Sequence, residues 1–145
     1  FDSVDLLDLV KAVEQVKDTV RPQVVYTHHG GDLNIDHRLT FEAVVTACRP
    51  LPRESVERLL AFEVLSSTGW ASPQASRAFL PTVFIEIGPF LDRKLKAMAC
   101  YKSELRQPPH PRSLAAIRQQ AQLWGAKAGC EAAEAFMLIR EHLRP

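Results

Sequence analysis

The chain has 145 residues, 46% hydrophobic and 24% charged, with 18 basic side chains against 17 acidic ones and a net charge of +1. That composition excludes a disordered tail, a collagen-like repeat and a disulfide-stapled scaffold, and the charge balance argues against nucleic acid as a partner. The most apolar stretch, residues 78–91, is broken by Pro81, Glu86, Gly88 and Pro89, so no run approaches the roughly 18 apolar residues of a membrane segment.

Leu6, Leu9, Val10, Val13, Val16 and Val20 form an apolar stripe that predicts a helix over residues 2–20, capped by Asp2 or Ser3 and ended by Arg21-Pro22. Val24 to Thr27 is β-branched and aromatic, a short buried strand. A polar loop over 28–36 follows, with Gly30-Gly31 at its centre, and then a helix over 37–48 carrying Leu39, Ala43, Val44 and Ala47. Beyond Pro50 and Pro52 the pattern predicts a short helix near 53–57, a strand over 60–65, a loop over 66–70 and irregular chain over 71–80. A strand over 83–87, a helix over 89–105 and a proline-rich loop over 107–112 come next. Ser113 caps a helix reaching Lys127, and 130–143 reads either as helix, from its alanines, or as a strand pairing at 136–139. No repeat or linker divides the chain, which reads as one domain over 1–145.

Helix, strand, polar loop, helix is the order of an open α/β sheet, in which ligands sit beyond the carboxyl ends of the strands. The 28–37 loop lies there. Cys48, Cys100 and Cys130 are odd in number, widely spaced and without a Cys-x-x-Cys pair, which predicts reduced, mostly buried thiols in a reducing, cytoplasmic compartment. No export leader is visible.

Three of the five histidines and two aspartates fall within His28 to His37. Neutral imidazole and carboxylate suit Zn²⁺, which lowers the pKa of a bound water to about 7 and so supplies a nucleophile. The same residue types also make ordinary caps and turns. Elsewhere, Trp70 offers an aromatic face for a pyranose ring, and Arg38 and Arg112 offer guanidinium groups for a phosphate or uronate. Their plainer readings are a partly buried loop aromatic and solvated surface.

Thr27 to Arg38, ending Asn34-Ile35-Asp36-His37-Arg38, resembles the second signature of the PIG-L/LmbE family of zinc-dependent N-acetylglucosamine deacetylases. Tyr101 to Leu105, after Lys94 and Met98, resembles the family's late lysine helix. Gly125-x-x-x-Gly129 with Ala133-Glu134-Ala135-Phe136 is similar to its C-terminal pattern. The resemblance implies a Rossmann-like LmbE-type sheet with flanking helices. It implies a zinc cofactor with His37 as the third ligand, Asp36 as the carboxylate orienting a neighbouring histidine, and Glu134 as an acceptor near the site. The reaction it implies removes the acetyl group from an N-acetylated amino-sugar conjugate.

Two departures qualify it. Asn34 stands where the family's commonest second motif, His-Pro-Asp-His, begins. The histidine for the tetrahedral intermediate then comes from His29, the favoured candidate, or from His28 or His110. The Ala-His-Pro-Asp-Asp-Glu motif, which supplies two ligands and the base, is not in the sequence. The chain thus reads as the C-terminal two-thirds of such a deacetylase, first strands missing, inactive or impaired alone, with a sheet edge open to homo-oligomerisation. The rival expectations are a non-catalytic sugar- or protein-binding remnant, and a metal-binding protein using His28, His29 and His37 together.

Overall fold

The computed structural model describes residues 2–143. Its contacts divide the chain into two compact units, one built from the residues up to Leu80 together with those from Phe136 onward, the other from Pro81–Ala135.

In the first unit α1 spans Leu6–Val20. It begins after Asp5, which makes no side-chain cap bond, so neither Asp2 nor Ser3 caps it; Arg21 ends it in the left-handed conformation. Leu9, Val10 and Val13 of the expected stripe pack inward against Ala43 and Ala47, while Val16 and Val20 are exposed. β1 (Val24–His28), α2 (Ile35–Ala47) and β2 (Arg58–Phe62) follow, with β1 and β2 paired in parallel from Val24 opposite Arg58 to His28 opposite Phe62. The expected order is therefore present as a β-α-β crossover. Leu59, Leu60 and Ala61 are all buried, as in an interior strand covered on both faces, whereas Tyr26 on β1 is exposed. Val44, Cys48, Val56 and Leu59 form the core here, joined by Val13, Val25 and Ile139.

Two expectations in this unit fail locally. Residues 54–57 are not helical: one oxygen of the Glu54 carboxylate accepts the Ser55 and Val56 N–H groups at 2.8 and 3.1 Å, and the chain turns straight into β2. The expected loop at 66–70 is largely a short helix, α3 (Leu65–Gly69). The irregular 71–80 stretch contains a 3₁₀ turn at Ala75–Arg77.

In the second unit β3 (Val83–Glu86) leads through a 3₁₀ turn into α4 (Leu91–Ala99), and α5 (Leu114–Ala128) follows. α4 is shorter than expected, because Tyr101–Leu105 forms an isolated turn in which the Glu104 and Leu105 N–H groups share the Tyr101 carbonyl. Ser113 caps α5 as expected, its hydroxyl accepting from Ala116 N–H at 3.2 Å. Ile87, Leu91, Leu95, Ala121 and Ala132 form this unit's core. Gly125 is required there: a Cβ would lie 2.6 Å from the Ala132 nitrogen.

The ambiguous C-terminal stretch is a strand, β4 (Ala133–Glu141). It pairs antiparallel with β2, with an irregularity between Leu59 and Leu60. Pairing thus overrides the helical preference of its alanines. The sheet is open and four-stranded in the order β1-β2-β4-β3. No described helix is long and apolar enough to cross a membrane. The cysteines are free, but only Cys48 is buried; Cys100 is exposed and Cys130 half-buried.

Candidate functional site

The polar cluster sits where β1 ends. His29 N–H still bonds across to the Phe62 carbonyl at 3.0 Å, and the chain then turns through Gly30-Gly31 so that Asp32 N–H meets the His29 carbonyl at 3.2 Å. Gly31 has no room for a side chain, since a Cβ would lie 2.2 Å from the Arg77 oxygen and 2.6 Å from His29 Nε2. The turn buries Asp32. Its Oδ1 accepts the Asn34 N–H at 2.8 Å, and Asn34 Oδ1 accepts the Asp36 N–H at 2.9 Å. That second bond makes Asn34, not Asp36, the cap of α2 and puts His37 in its first turn.

His37 Nδ1 lies 3.2 Å from Asp32 Oδ1, with the carboxylate fully buried and the imidazole 19% exposed. α3 closes on the same carboxylate: Thr68 donates to Oδ2 at 2.6 Å and Ser67 Oγ donates at 3.0 Å, while also lying 3.3 Å from His37 Nδ1. The Leu33 N–H donates to the Ser67 carbonyl at 3.2 Å, tying loop and helix together. Burial acts to raise the Asp32 pKa, but hydrogen bonds from Thr68, Asn34 N–H, Ser67 and His37 hold it below the usual carboxylate value.

His28, the last residue of β1, stacks on His37 with ring centroids 4.1 Å apart and packs against Phe62 at 4.8 Å. Its Nδ1 is buried without a hydrogen-bond partner. Burial and the neighbouring His37 lower its pKa, partly offset by Asp32, which favours the neutral ring. His29 turns elsewhere. It is buried, with Nε2 2.8 Å from the Arg77 carbonyl and the ring edge-on to Phe79 at 5.4 Å.

The structure thus brings His37, His28 and Asp32 together, with the Asp32 carboxylate against His37. Arg38 points its Nη1 at the Asp32 and Leu33 carbonyls, at 3.0 and 2.7 Å, and so braces the loop. Trp70 directly follows α3 and is exposed. His110, Arg112 and Glu134 belong to the second unit. There, His110 Nδ1 accepts the Arg112 N–H, Arg112 pairs with Glu104, and Glu134 pairs with Lys94 at 2.5 Å. Sequence reasoning passed over Asp32, Ser67 and Thr68; the signal for Asp32 was its Asp-x-Asn spacing before a helix.

Among the described residues no group of three or more His, Cys, Asp or Glu side chains could hold a metal ion. The expected trio of His28, His29 and His37 does not assemble, because His29 Nε2 is taken up by Arg77. The described donors of this chain do not by themselves make a zinc site. What the cluster does supply is one imidazole oriented by a buried carboxylate, an arrangement suited to ligating a cation or accepting a proton.

No family model and no curated protein matches the sequence. Solved structures do match its fold. The conserved protein TT1542 from Thermus thermophilus superposes with a TM-score of 0.72 at 22% identity, over 95% of this chain and 61% of its own. GalB, the 4-carboxy-2-hydroxymuconate hydratase of Pseudomonas putida, gives 0.72 at 19% identity, over 98% and 62%. The N,N'-diacetylchitobiose deacetylase of Pyrococcus horikoshii gives 0.66 at 16% identity, over 91% and 51%. This chain thus spans between half and about three fifths of the length of these proteins. One fold carries both a hydratase and a deacetylase here, so the likeness speaks to architecture and leaves the reaction to the site. The chain has the α/β fold of these proteins.

Proposed function

We propose that the chain is part of a deacetylase domain and contributes His37, backed by Asp32, to hydrolytic removal of an acetyl group from an N-acetylglucosamine-type conjugate. The observation that carries this reading is the buried Asp32 carboxylate 3.2 Å from His37 Nδ1, at the carboxyl end of a strand in a fold that one matched structure uses for deacetylation. In this reading His37 is one zinc ligand, and the remaining donors come from residues outside this sequence. β1 is the terminal strand of the sheet among the described residues, which supports a further strand pairing there, from the rest of the domain or a second copy.

Beside Asp36 as the orienting carboxylate and His29 as the histidine for the tetrahedral intermediate, both proposed from the sequence, the geometry offers Asp32 and His28. Asp32 orients His37. His28, stacked on His37 with an unpartnered nitrogen, is the histidine available to a developing charge or a leaving amine. Trp70 is the proposed sugar-stacking side chain, with Arg38 as a contact for an anionic substituent; the anion contact proposed for Arg112 is a separate one, within the second unit. The chain alone is expected to turn over little or no substrate.

The alternative is a sugar- or protein-binding remnant without catalysis. Two measurements separate them. This chain should bind zinc weakly and release no amine from N,N'-diacetylchitobiose. In the protein of full domain length, His37→Ala should abolish acetate release; normal rates in that variant would overturn the deacetylase reading.

A further inference from the structure

We propose that Ser67 and Thr68 of α3 are positioning residues that hold His37 as the tautomer protonated on Nδ1, leaving the Nε2 lone pair to whatever binds there. Its functional weight rests on the role proposed for His37, but the argument is one of hydrogen-bond donors and acceptors alone.

An ionised carboxylate only accepts hydrogen bonds. Asp32 Oδ2 faces Thr68 Oγ1 at 2.6 Å and Ser67 Oγ at 3.0 Å, while Oδ1 faces the Asn34 N–H at 2.8 Å and His37 Nδ1 at 3.2 Å. All four neighbours must therefore donate. The direction of the Thr68 hydroxyl is set independently, because its oxygen accepts the Val64 N–H at 2.9 Å and its single proton goes to Asp32. Ser67 spends its proton on Asp32 as well, so its lone pair faces His37 Nδ1 at 3.3 Å as a second acceptor for the same N–H. With both hydroxyls in place the carboxylate cannot swing away from the imidazole. A bare Nδ1 would set lone pair against lone pair.

The opposite side of the ring gives the same answer. Asn34 Oδ1 is fixed by the Asp36 N–H, which orients the amide and leaves its NH₂ 3.5 Å from His37 Nε2. A donor faces that nitrogen, as it should if Nε2 carries a lone pair. At this distance the contact is too long for a firm hydrogen bond, so the lone pair stays available. Two sets of partners, from α3 and from the cap of α2, agree on one tautomer.

The test is nitrogen NMR on the full chain with ¹⁵N-labelled histidine, at mildly alkaline pH where imidazole is neutral. His37 should show a protonated Nδ1 and a bare Nε2 as a single species. Thr68→Ser, which keeps the hydroxyl, should preserve that signature; Ser67→Ala combined with Thr68→Val should lose it to a mixture of tautomers, with the backbone spectrum reporting that the chain is folded. A proton on Nε2 in the unmodified chain overturns the proposal. So does a folded double variant with an unchanged signature; if the double variant does not fold, each single variant is read the same way. Failure of the deacetylase reading is distinct. If His37→Ala leaves acetate release intact while the tautomer is as stated, the function falls and the positioning stands.

Discussion

The Arg77 carbonyl oxygen accepts a hydrogen bond from His29 Nε2 at 2.8 Å, and the same oxygen would lie 2.2 Å from a Cβ at residue 31. Residues 75–80 therefore cross directly over the Gly30-Gly31 turn, and the two segments fit only with glycine between them. Gly31→Ala is expected to lower unfolding free energy by about 1–3 kcal/mol, the usual cost of overpacking. Urea denaturation measures it; an unchanged midpoint would mean that residues 75–80 lift away without cost.

Asp32 is the next most exacting position. Asp32→Ala leaves four donors facing a void in a buried setting, and an unsatisfied buried donor costs about 1–3 kcal/mol. A total loss of about 3 kcal/mol is expected in chemical denaturation. A loss under about 1 kcal/mol would show that water replaces the carboxylate.

Acid should weaken the fold through Glu54. Burial acts to raise the Glu54 pKa, but hydrogen bonds and charge from Lys17 with the Val56 and Ser55 N–H groups hold it below the usual carboxylate value. A carboxylate depressed in the folded state binds fewer protons there than when unfolded, so its stabilisation is complete above the unfolded pKa and disappears as pH falls through the folded one. The dependence of stability on pH across that window should be shallower in Glu54→Gln. At neutral pH Lys17→Met, which strands a carboxylate only 8% exposed, should cost about 3 kcal/mol.

The thiols should react in a fixed order. Cys100 is exposed, while Cys48 is 1% exposed and burial pushes its pKa up, an effect Lys17 and Arg140 only partly oppose. Thiolate is the reactive form, so a dithio-nitrobenzoate titration of the native chain should label Cys100 first and Cys48 only on unfolding. Fast labelling of Cys48 in native buffer would contradict the packing of α2.

Much of the first unit's fold could be read from the sequence, because β1 and α2 announce themselves through local composition, and Ser113 marks α5 in the second unit. The failures are equally specific. α3 looked like a loop because Ser66-Ser67-Thr68-Gly69 holds poor helix formers, and its contacts with Asp32 supply what propensity lacks. α4 ends sooner than expected because the apolar spacing of Leu91, Leu95, Met98 and Ala99 marks a helix without marking its end, which falls at Ala99. At the site, His37 stood out by type and spacing. Asp32 did not, since what distinguishes it is burial and hydroxyl donors 35 and 36 residues away. A one-dimensional reading cannot show which carboxylate comes to lie against the imidazole.

α2 is gripped at both ends. Asn34 holds its first turn, and at its last turn Lys17 Nζ donates to the Ala47 carbonyl at 2.9 Å while Arg140 donates to that of Cys48. A 13-residue helix is about 20 Å long and stiff over that length, so it acts as a rod clamped at two points. The orientation of the His37 ring is then answerable to residues 17 and 140, which grip the opposite end. Substitutions there should reach the imidazole as a small rotation of the whole rod, with no rearrangement in between.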